Sequence, residues 1–318
     1  MRSASVIVPT VEGGARLGGL LDSLARQTQD HEAIVVDNGS VGASATRACE
    51  GYRGVDAIRL ERNAGFSRAV NLAARRASGD ALVLVNDDCA CDPGFVEAIA
   101  GALDPGTGVV MAAGVMRDPR DPTRIDTAGM ELDRTLLVFD YMNGELVSRL
   151  DGGVPDPVGP SAAAAAFDRE TFIRAGGFDE RLFAYWEDVD LVLRLVRDGA
   201  RCVLAAGALG THEHSATLGS GSARKNYLMG YGRGYVLRKW DVLGSPRRAA
   251  ASLLRDGVVC LGQAAVDRNL AGLRGRVRGY RAARRTERFP GRAVRIGAPG
   301  PVRSLHRRAA RRARLRRR

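Results

Sequence analysis

The sequence predicts an α/β fold: a mostly parallel sheet flanked by helices, then a C-terminal helical extension and a basic tail. Three observations support this. Strand-like and helix-like runs alternate through about the first hundred residues, at the spacing of doubly wound units. Three of the apolar runs stop in polar residues, at Pro9-Thr10, Asp37-Asn38 and Asn86-Asp87-Asp88. The composition then changes at Arg268, beyond which arginine dominates.

Each element has a local reason. Residues 5–9 (SVIVP) are a continuous apolar run of strand length, which suits a strand buried on both faces. Residues 17–27 carry Leu17, Leu20, Leu21 and Leu24 on one helical face. Residues 33–37 (AIVVD), the weaker run 55–60 and residues 81–85 read as further strands, with helices over 67–77 and 95–103. In an open sheet of this kind ligands gather beyond the carboxyl ends of the strands, so the three polar strand ends outline one site. Residues 117–160 are rich in Asp, Pro and Gly and predict hairpins and loops, with a short alternating piece at 136–139. Small residues at 160–167 (PSAAAAAF) indicate a strand or a close-packed segment. Helical spacing returns over 168–175 and 188–198, the latter stopped by Gly199. An aromatic, basic stretch covers 227–240, and a helix is expected around 247–261.

The expected organisation is a main domain over 1–240, a helical extension over 241–285 that could lie on a membrane surface, and a disordered Arg-rich tail over 286–318. A chain of 318 residues with 45% hydrophobic content accommodates such a domain and its appendage. No early segment has the pattern of a signal peptide, and no run of about 18 uncharged apolar residues predicts a spanning helix. Cys49, Cys89, Cys91, Cys202 and Cys260 form no CxxC pair. That argues against thiolate ligands or a disulfide framework and for a reducing cytoplasm. The net charge of +12 is unevenly placed: residues 268–318 hold nineteen Arg and one acid, Glu287, so they carry +18 and residues 1–267 carry −6. An acidic body with a basic tail argues against a globular reader of nucleic acid, and for a tail that visits an anionic membrane surface.

Two adjacent carboxylates at the end of a buried strand repel each other and are costly to desolvate unless a cation compensates. Asp87 and Asp88 offer hard oxygen ligands for Mg²⁺ or Mn²⁺; the alternative is a capping loop before Pro93. Asp37 could accept the imide N–H of uracil or thymine, although Asp-Asn-Gly-Ser is equally good turn chemistry. Glu187, Asp188 and Asp190 open a helix, where acids complement the dipole and where Asp188 is expected to have a depressed pKa. The Tyr185-Trp186 pair before them would give a sugar a flat aromatic surface beside a carboxylate. His212 and His214 lie two apart and share a side if the segment is extended. Either one near Asp88 would complete an oxygen and imidazole shell that Mn²⁺ accepts. The Ser/Thr/Gly run after them offers hydroxyls and N–H groups to phosphates.

In order along the chain, SVIVPT, AIVVDNGS, RNAGFSRAVNLA, VLVNDD, GGFDERLFAYWEDVDLVLR and THEHSATLGSGSARKN resemble family-two glycosyltransferases with the GT-A fold, over about residues 3–240. The bacterial rhamnosyltransferase-like branch is the nearest in pattern. The resemblance implies a Mn²⁺- or Mg²⁺-dependent, inverting transfer of a sugar from a nucleotide-diphospho donor, dTDP- or UDP-linked, with L-rhamnose from dTDP-rhamnose favoured. It implies an acceptor hydroxyl on a glycan or polyprenyl-linked molecule, and a cytoplasmic enzyme peripheral on the inner face of the membrane. By position, it makes Pro9, Thr10 and Glu12 the first nucleotide-contacting loop, Asp37 the acid that reads the base, and Asn63 and Gly65 part of the nucleotide wall. It puts Asp87 in the donor site and makes Asp88 a metal ligand, with His212 completing the shell and His214 the alternative. Asp188 becomes the general base, with Tyr185, Trp186 and Glu187 on the acceptor side.

Two departures stand out. Ser161 is followed by alanines where relatives often carry Gly, and MGYGRGY at 229–235 replaces an expected Arg-Asn pairing. Two other classes compete: a noncatalytic nucleotide-sugar-binding protein and a tail-driven nucleic-acid binder. The intact Glu187-Asp188 pair argues against the first, and the −6 body against the second.

Overall fold

Short runs rich in Val, Ile and Ala become the strands of one large sheet. The computed structural model describes residues 2–213 and 221–290. Its strands are β1 (Ala4–Thr10), β2 (Glu32–Asn38), β3 (Val55–Leu60), β4 (Ala81–Val85), β5 (Cys89–Cys91), β6 (Val109–Asp118), β7 (Asp121–Thr127), β8 (Met130–Leu132), β9 (Val138–Asp140), β10 (Ala164–Asp168) and β11 (Arg201–His212). The main sheet runs β3-β2-β1-β4-β10-β6-β11-β5, with β7 on β6, while β8 and β9 pair separately. β3, β2, β1 and β4 are mutually parallel, and β6 and β11 share their direction across the reversed β10. The expected mostly parallel sheet is therefore present, with β5, β7 and β10 antiparallel to their neighbours.

The helices are α1 (Ala15–Leu24), α2 (Ser44–Ala48), α3 (Phe66–Arg76), α4 (Phe95–Gly101), α5 (Arg169–Arg174), α6 (Glu187–Arg197), α7 (Ala223–Lys239), α8 (Pro246–Val266) and α9 (Ala271–Ala282). Strand side chains alternate between two cores. Ile7, Ile34 and Leu84 pack on one face with Val70 of α3 and Leu193 of α6. Val6, Val8 and Val83 pack on the other with Leu17 and Leu21 of α1 and Val96 of α4. Burial on both faces is why β1 and β4 are unbroken apolar runs.

β6 and β11, ten and twelve residues long, have no counterpart in the sequence-based expectations. Small residues hide their strand pattern because neighbouring strands and α4 press close: a Cβ on Gly114 would lie 3.0 Å from the Phe95 ring and 3.1 Å from Ala164 Cβ. The alanines of β10 are buried. None of residues 161–164 has a positive φ, so alanine in place of glycine brings no strain there.

The C-terminal helices share the body's core. A Cβ on Gly230 or Gly234 of α7 would overlap the carbonyl oxygens of Gly272 and Arg276 in α9, and one on Gly275 or Gly279 would overlap those of Tyr227 and Tyr231. Glycine at these positions lets the two helices touch backbone to backbone. This accounts for the spacing in MGYGRGY. Phe289 is also buried, its ring 4.8 Å from Trp240. The expectation of a disordered tail from 286 is thus corrected, because packing continues to Phe289; residues 291–318 lie outside the described residues.

α8 contains no uncharged apolar run of about 18 residues, since Arg255 and Asp256 interrupt it. Its 21 residues are long and apolar enough, by length and composition, to cross a bilayer. The side it buries, however, is polar: Ser252, Arg255, Asp256 and Gln263.

Candidate active site

β1 and β4 pair in parallel, so Thr10 and the residues after Val85 leave the sheet side by side. The Thr10 hydroxyl donates to Asp87 Oδ2 at 2.5 Å. Burial pushes the Asp87 carboxyl up to about 6; the Thr10 bond opposes this and the Asp88 charge adds to it. Pro9 is buried within β1, and Glu12 stands exposed at the rim, 3.9 Å from Arg16.

β5 carries the chain on from Asp88 and pairs antiparallel with the end of β11, which sets His212 opposite Cys89. His212 Nε2 lies 3.2 Å from Asp88 Oδ1, and its Nδ1 lies 3.1 Å from Asp126 Oδ2. Burial alone would lower the imidazole pKa, but the bonds to Asp126 and Asp88 outweigh it and raise it to about 9. The donor set fits a divalent cation such as Mn²⁺ or Mg²⁺: one carboxylate and one imidazole converge, and a second carboxylate fixes the far ring nitrogen, as ligating histidines usually require. Cys89 Sγ lies within 4.8 Å of these ligand atoms. Burial raises its thiol far above the usual range, and it donates to the Ala163 carbonyl. His214 lies outside the described residues. Asp126 has no counterpart among the sequence-based expectations. Its signal was the alternation of β7, where Ile125 and Thr127 are buried and Asp126 faces the other way.

Asp37 occupies a different setting from a base-reading acid on an open surface. It is fully buried, and accepts from Ser40 N at 2.8 Å, Thr46 Oγ1 at 2.7 Å and Arg59 Nη1 at 2.8 Å. Burial disfavours its charge, yet the bonds from Thr46 and Ser40 outweigh it and hold its pKa below the usual value. Three of its hydrogen bonds, two from Thr46 and one from Arg59, fall on Oδ2, while Oδ1 accepts from Ser40 N. Beside it, Asn38 Nδ2 donates to Asn63 Oδ1 and to the Gly65 carbonyl, both at 3.2 Å. Gly65 has φ +93°, and a Cβ there would sit 2.6 Å from the Phe183 carbonyl oxygen. Phe66 N donates to that same oxygen at 2.7 Å. The 63–66 turn therefore docks onto the segment that leads into α6, and a concave surface opens beside it, lined by Arg62, Asn63, Arg68 and Phe183.

That segment is strained. Tyr185 and Trp186 have φ of 69° and 76°, in the left-handed region that aromatic residues avoid. Such a conformation persists only where its surroundings enforce it. Here the Trp186 ring packs over Gly232, and the Arg233 guanidinium lies 5.6 Å from its centroid. Trp186 is 4% exposed, which corrects the expectation of an aromatic face for a sugar. Tyr185 is partly exposed, and burial first, then the charges of Glu187 and Asp88, push its phenol up to about 12.

The turn delivers Glu187 and Asp188 to the start of α6. Glu187 is buried, its Oε2 has no hydrogen-bond partner, and burial plus the Asp188 charge push its carboxyl well above the usual range. Asp188 is pushed up to about 6 by burial, with Asp140 adding and the Val189 and Ala162 amides opposing. The expected depression at a helix start is thus reversed, because desolvation outweighs the amides. Asp190, by contrast, belongs to the fold: it is fully buried and holds Lys239 at 2.9 Å, Arg194 at 3.0 Å and the Trp240 indole at 3.1 Å.

Comparison with known proteins agrees with this fold. Residues 5–162 match the family model Glycosyl transferase family 2. A Bacillus subtilis protein described as the uncharacterized glycosyltransferase YwdF is 26% identical over 232 residues, 70% of this chain and 81% of that protein. The N-acetylglucosaminyl-diphospho-decaprenol L-rhamnosyltransferase of Mycobacterium tuberculosis is 27% identical over 239 residues, 67% and 77% of the two chains. Among solved structures, GalNAc-T7 with UDP, GalNAc and Mn²⁺ superposes with a TM-score of 0.60 at 14% identity, over 91% of this chain and 55% of that one. The mannosyltransferase PcManGT from Pyrobaculum calidifontis, with GDP-Man and Mn²⁺, superposes at 0.53 and 18% identity, over 96% and 79%. With the sheet order, the acids at its strand ends and the matched domain in agreement, the chain is a glycosyltransferase and belongs to glycosyl transferase family 2.

Proposed function

We propose that the chain moves a sugar from a nucleotide-diphospho donor to a hydroxyl of a glycan or polyprenyl-linked acceptor, with inversion at the anomeric carbon. The observation that carries this reading is the Tyr185–Asp188 turn: it sets Glu187 and Asp188, both of raised pKa, at the start of α6, and Tyr185 within it feels the charges of both Glu187 and Asp88 at the end of the sheet. Asp188 accepts the acceptor's proton as the hydroxyl oxygen attacks the anomeric carbon from the face opposite the leaving nucleotide. Help of this kind is typically worth about 10²–10⁴-fold. Thr10, Glu12, Asn63 and Gly65 border the nucleotide, and Pro9 and Asp87 shape the floor beneath it. Asp88 and His212 would hold Mn²⁺ or Mg²⁺, which supplies positive charge against the leaving diphosphate.

The similarity to a mycobacterial N-acetylglucosaminyl-diphospho-decaprenol L-rhamnosyltransferase supports L-rhamnose as the sugar and a polyprenyl-diphospho glycan as the acceptor; dTDP-rhamnose as the donor and work at the cytoplasmic face of the membrane complete the proposal. A UDP-linked donor is the second reading, since a carboxylate at Asp37 pairs with either pyrimidine. Calorimetric titration with dTDP and UDP, with and without Mn²⁺, decides between them. The expected result is Mn²⁺-dependent binding of dTDP that Asp88→Ala abolishes. A preference for UDP changes the donor, and absence of binding by either nucleotide overturns the proposal.

A further inference from the structure

We propose that the outer face of α8 docks on an anionic lipid membrane. The inference deepens the reading of a lipid-linked acceptor and rests on it for its purpose.

α8 is built inside out. A helix that covers a soluble body turns its apolar stripe inward and its polar side to water. Here Ser252, Arg255, Asp256 and Gln263 face inward, while Ala250, Leu254, Val258, Leu261 and Ala265, at successive helical turns, face outward. Leu254 and Leu261 are 71% and 72% exposed. From Leu253 to Val266 no exposed side chain carries a charge. α9 continues the surface with exposed Leu273 and Val277.

The helix cannot roll over to hide these residues. Arg233 Nη2 donates to Ser252 at 2.9 Å, and Arg233 and Arg276 each reach Asp256 at 3.0 Å. Gln263 Nε2 donates to Asn226 Oδ1 at 3.0 Å. Rolling would break buried ion pairs, and so would leaving the protein to span a bilayer. α8 therefore lies on a membrane rather than crossing it.

Charge selects the occupant. Every exposed charged side chain over residues 246–282 is an arginine: Arg247, Arg268, Arg274, Arg278 and Arg281. Residues 291–318 add eleven more arginines and no acid. A second copy of the chain would set this positive rim against itself across a two-fold axis. An anionic bilayer instead offers negative headgroups to the arginines and an apolar layer to the leucines.

The test is sedimentation of the full chain with vesicles of phosphatidylglycerol and phosphatidylcholine, or of phosphatidylcholine alone, beside Leu254→Glu/Leu261→Glu. Wild type is expected to bind the anionic vesicles, and less so as salt rises from about 0.1 to about 0.5 M. The double variant should bind about tenfold or more weakly while keeping its far-ultraviolet dichroism and its nucleotide binding. Equal vesicle binding by both proteins overturns the inference. So does a wild-type dimer, without vesicle binding, that the variant dissolves. Vesicle binding without binding of dTDP or UDP would leave this inference standing and sink the proposed donor alone.

Discussion

A carboxylate buried beside another carboxylate holds its proton more tightly than the start of a helix would suggest, and Asp188 shows which influence prevails. With its pKa raised to about 6, it is ionised at neutral pH yet basic enough to take a proton. Only the ionised form can act, so kcat/KM is expected to be flat above about pH 7 and to fall as pH drops through about 6. A profile that stays flat down to pH 5 would exclude Asp188 as the base. Asp188→Asn should abolish transfer and leave dTDP titration unchanged. Asp126 calls for a separate measurement. If it fixes the His212 ring, Asp126→Asn should weaken Mn²⁺ binding about 10–100-fold, and unchanged affinity would reduce Asp126 to a packing role. Asp88 and His212 were legible because rare histidines and paired acids are conspicuous. Asp126 was not, because its relation to His212 spans 86 residues and passes through the pairings of β6 with β7 and β11.

Among the elements, β1, β2 and β4 were legible because burial on both faces makes them nearly continuous apolar runs, and α3 because it buries one face and exposes the other. β6 and β11 were not, since close packing demanded small residues that carry little pattern. The 63–66 turn is legible only in part: glycine marks it, but its partner at Phe183 is a matter of tertiary folding. Gly65→Ala should cost about 1–3 kcal/mol in urea unfolding, because φ +93° and the Phe183 carbonyl both exclude a methyl. It should also weaken nucleotide binding by shifting Asn63. A neutral substitution would mean that the turn tolerates rearrangement. The strained Tyr185-Trp186 pair depends on α7 in the same way, since Gly232 leaves the room that the indole occupies.

For the whole molecule, the C-terminal helices are fastened by buried charge. Asp256 holds both Arg233 and Arg276, and Arg233 also donates to the Thr135 carbonyl at 2.8 Å. Asp256→Ala strands two guanidinium groups and is expected to cost about 3–5 kcal/mol in urea unfolding. A loss under 1 kcal/mol would show that water reaches the network. The glycine contact between α7 and α9 also decides where this chain can be shortened. By composition alone, everything past Arg268 looks like one dispensable basic appendage. A fragment ending at residue 267 would lose α9 and leave Gly230 and Gly234 bare, with Asp256 short of one arginine. A fragment ending at 290 would keep the interlocked helices and shed eleven arginines, bringing the net charge from +12 to +1. On a cation exchanger the two parts of that arginine-rich stretch look alike, yet residues 268–290 also bring α9 and Phe289 into the packing.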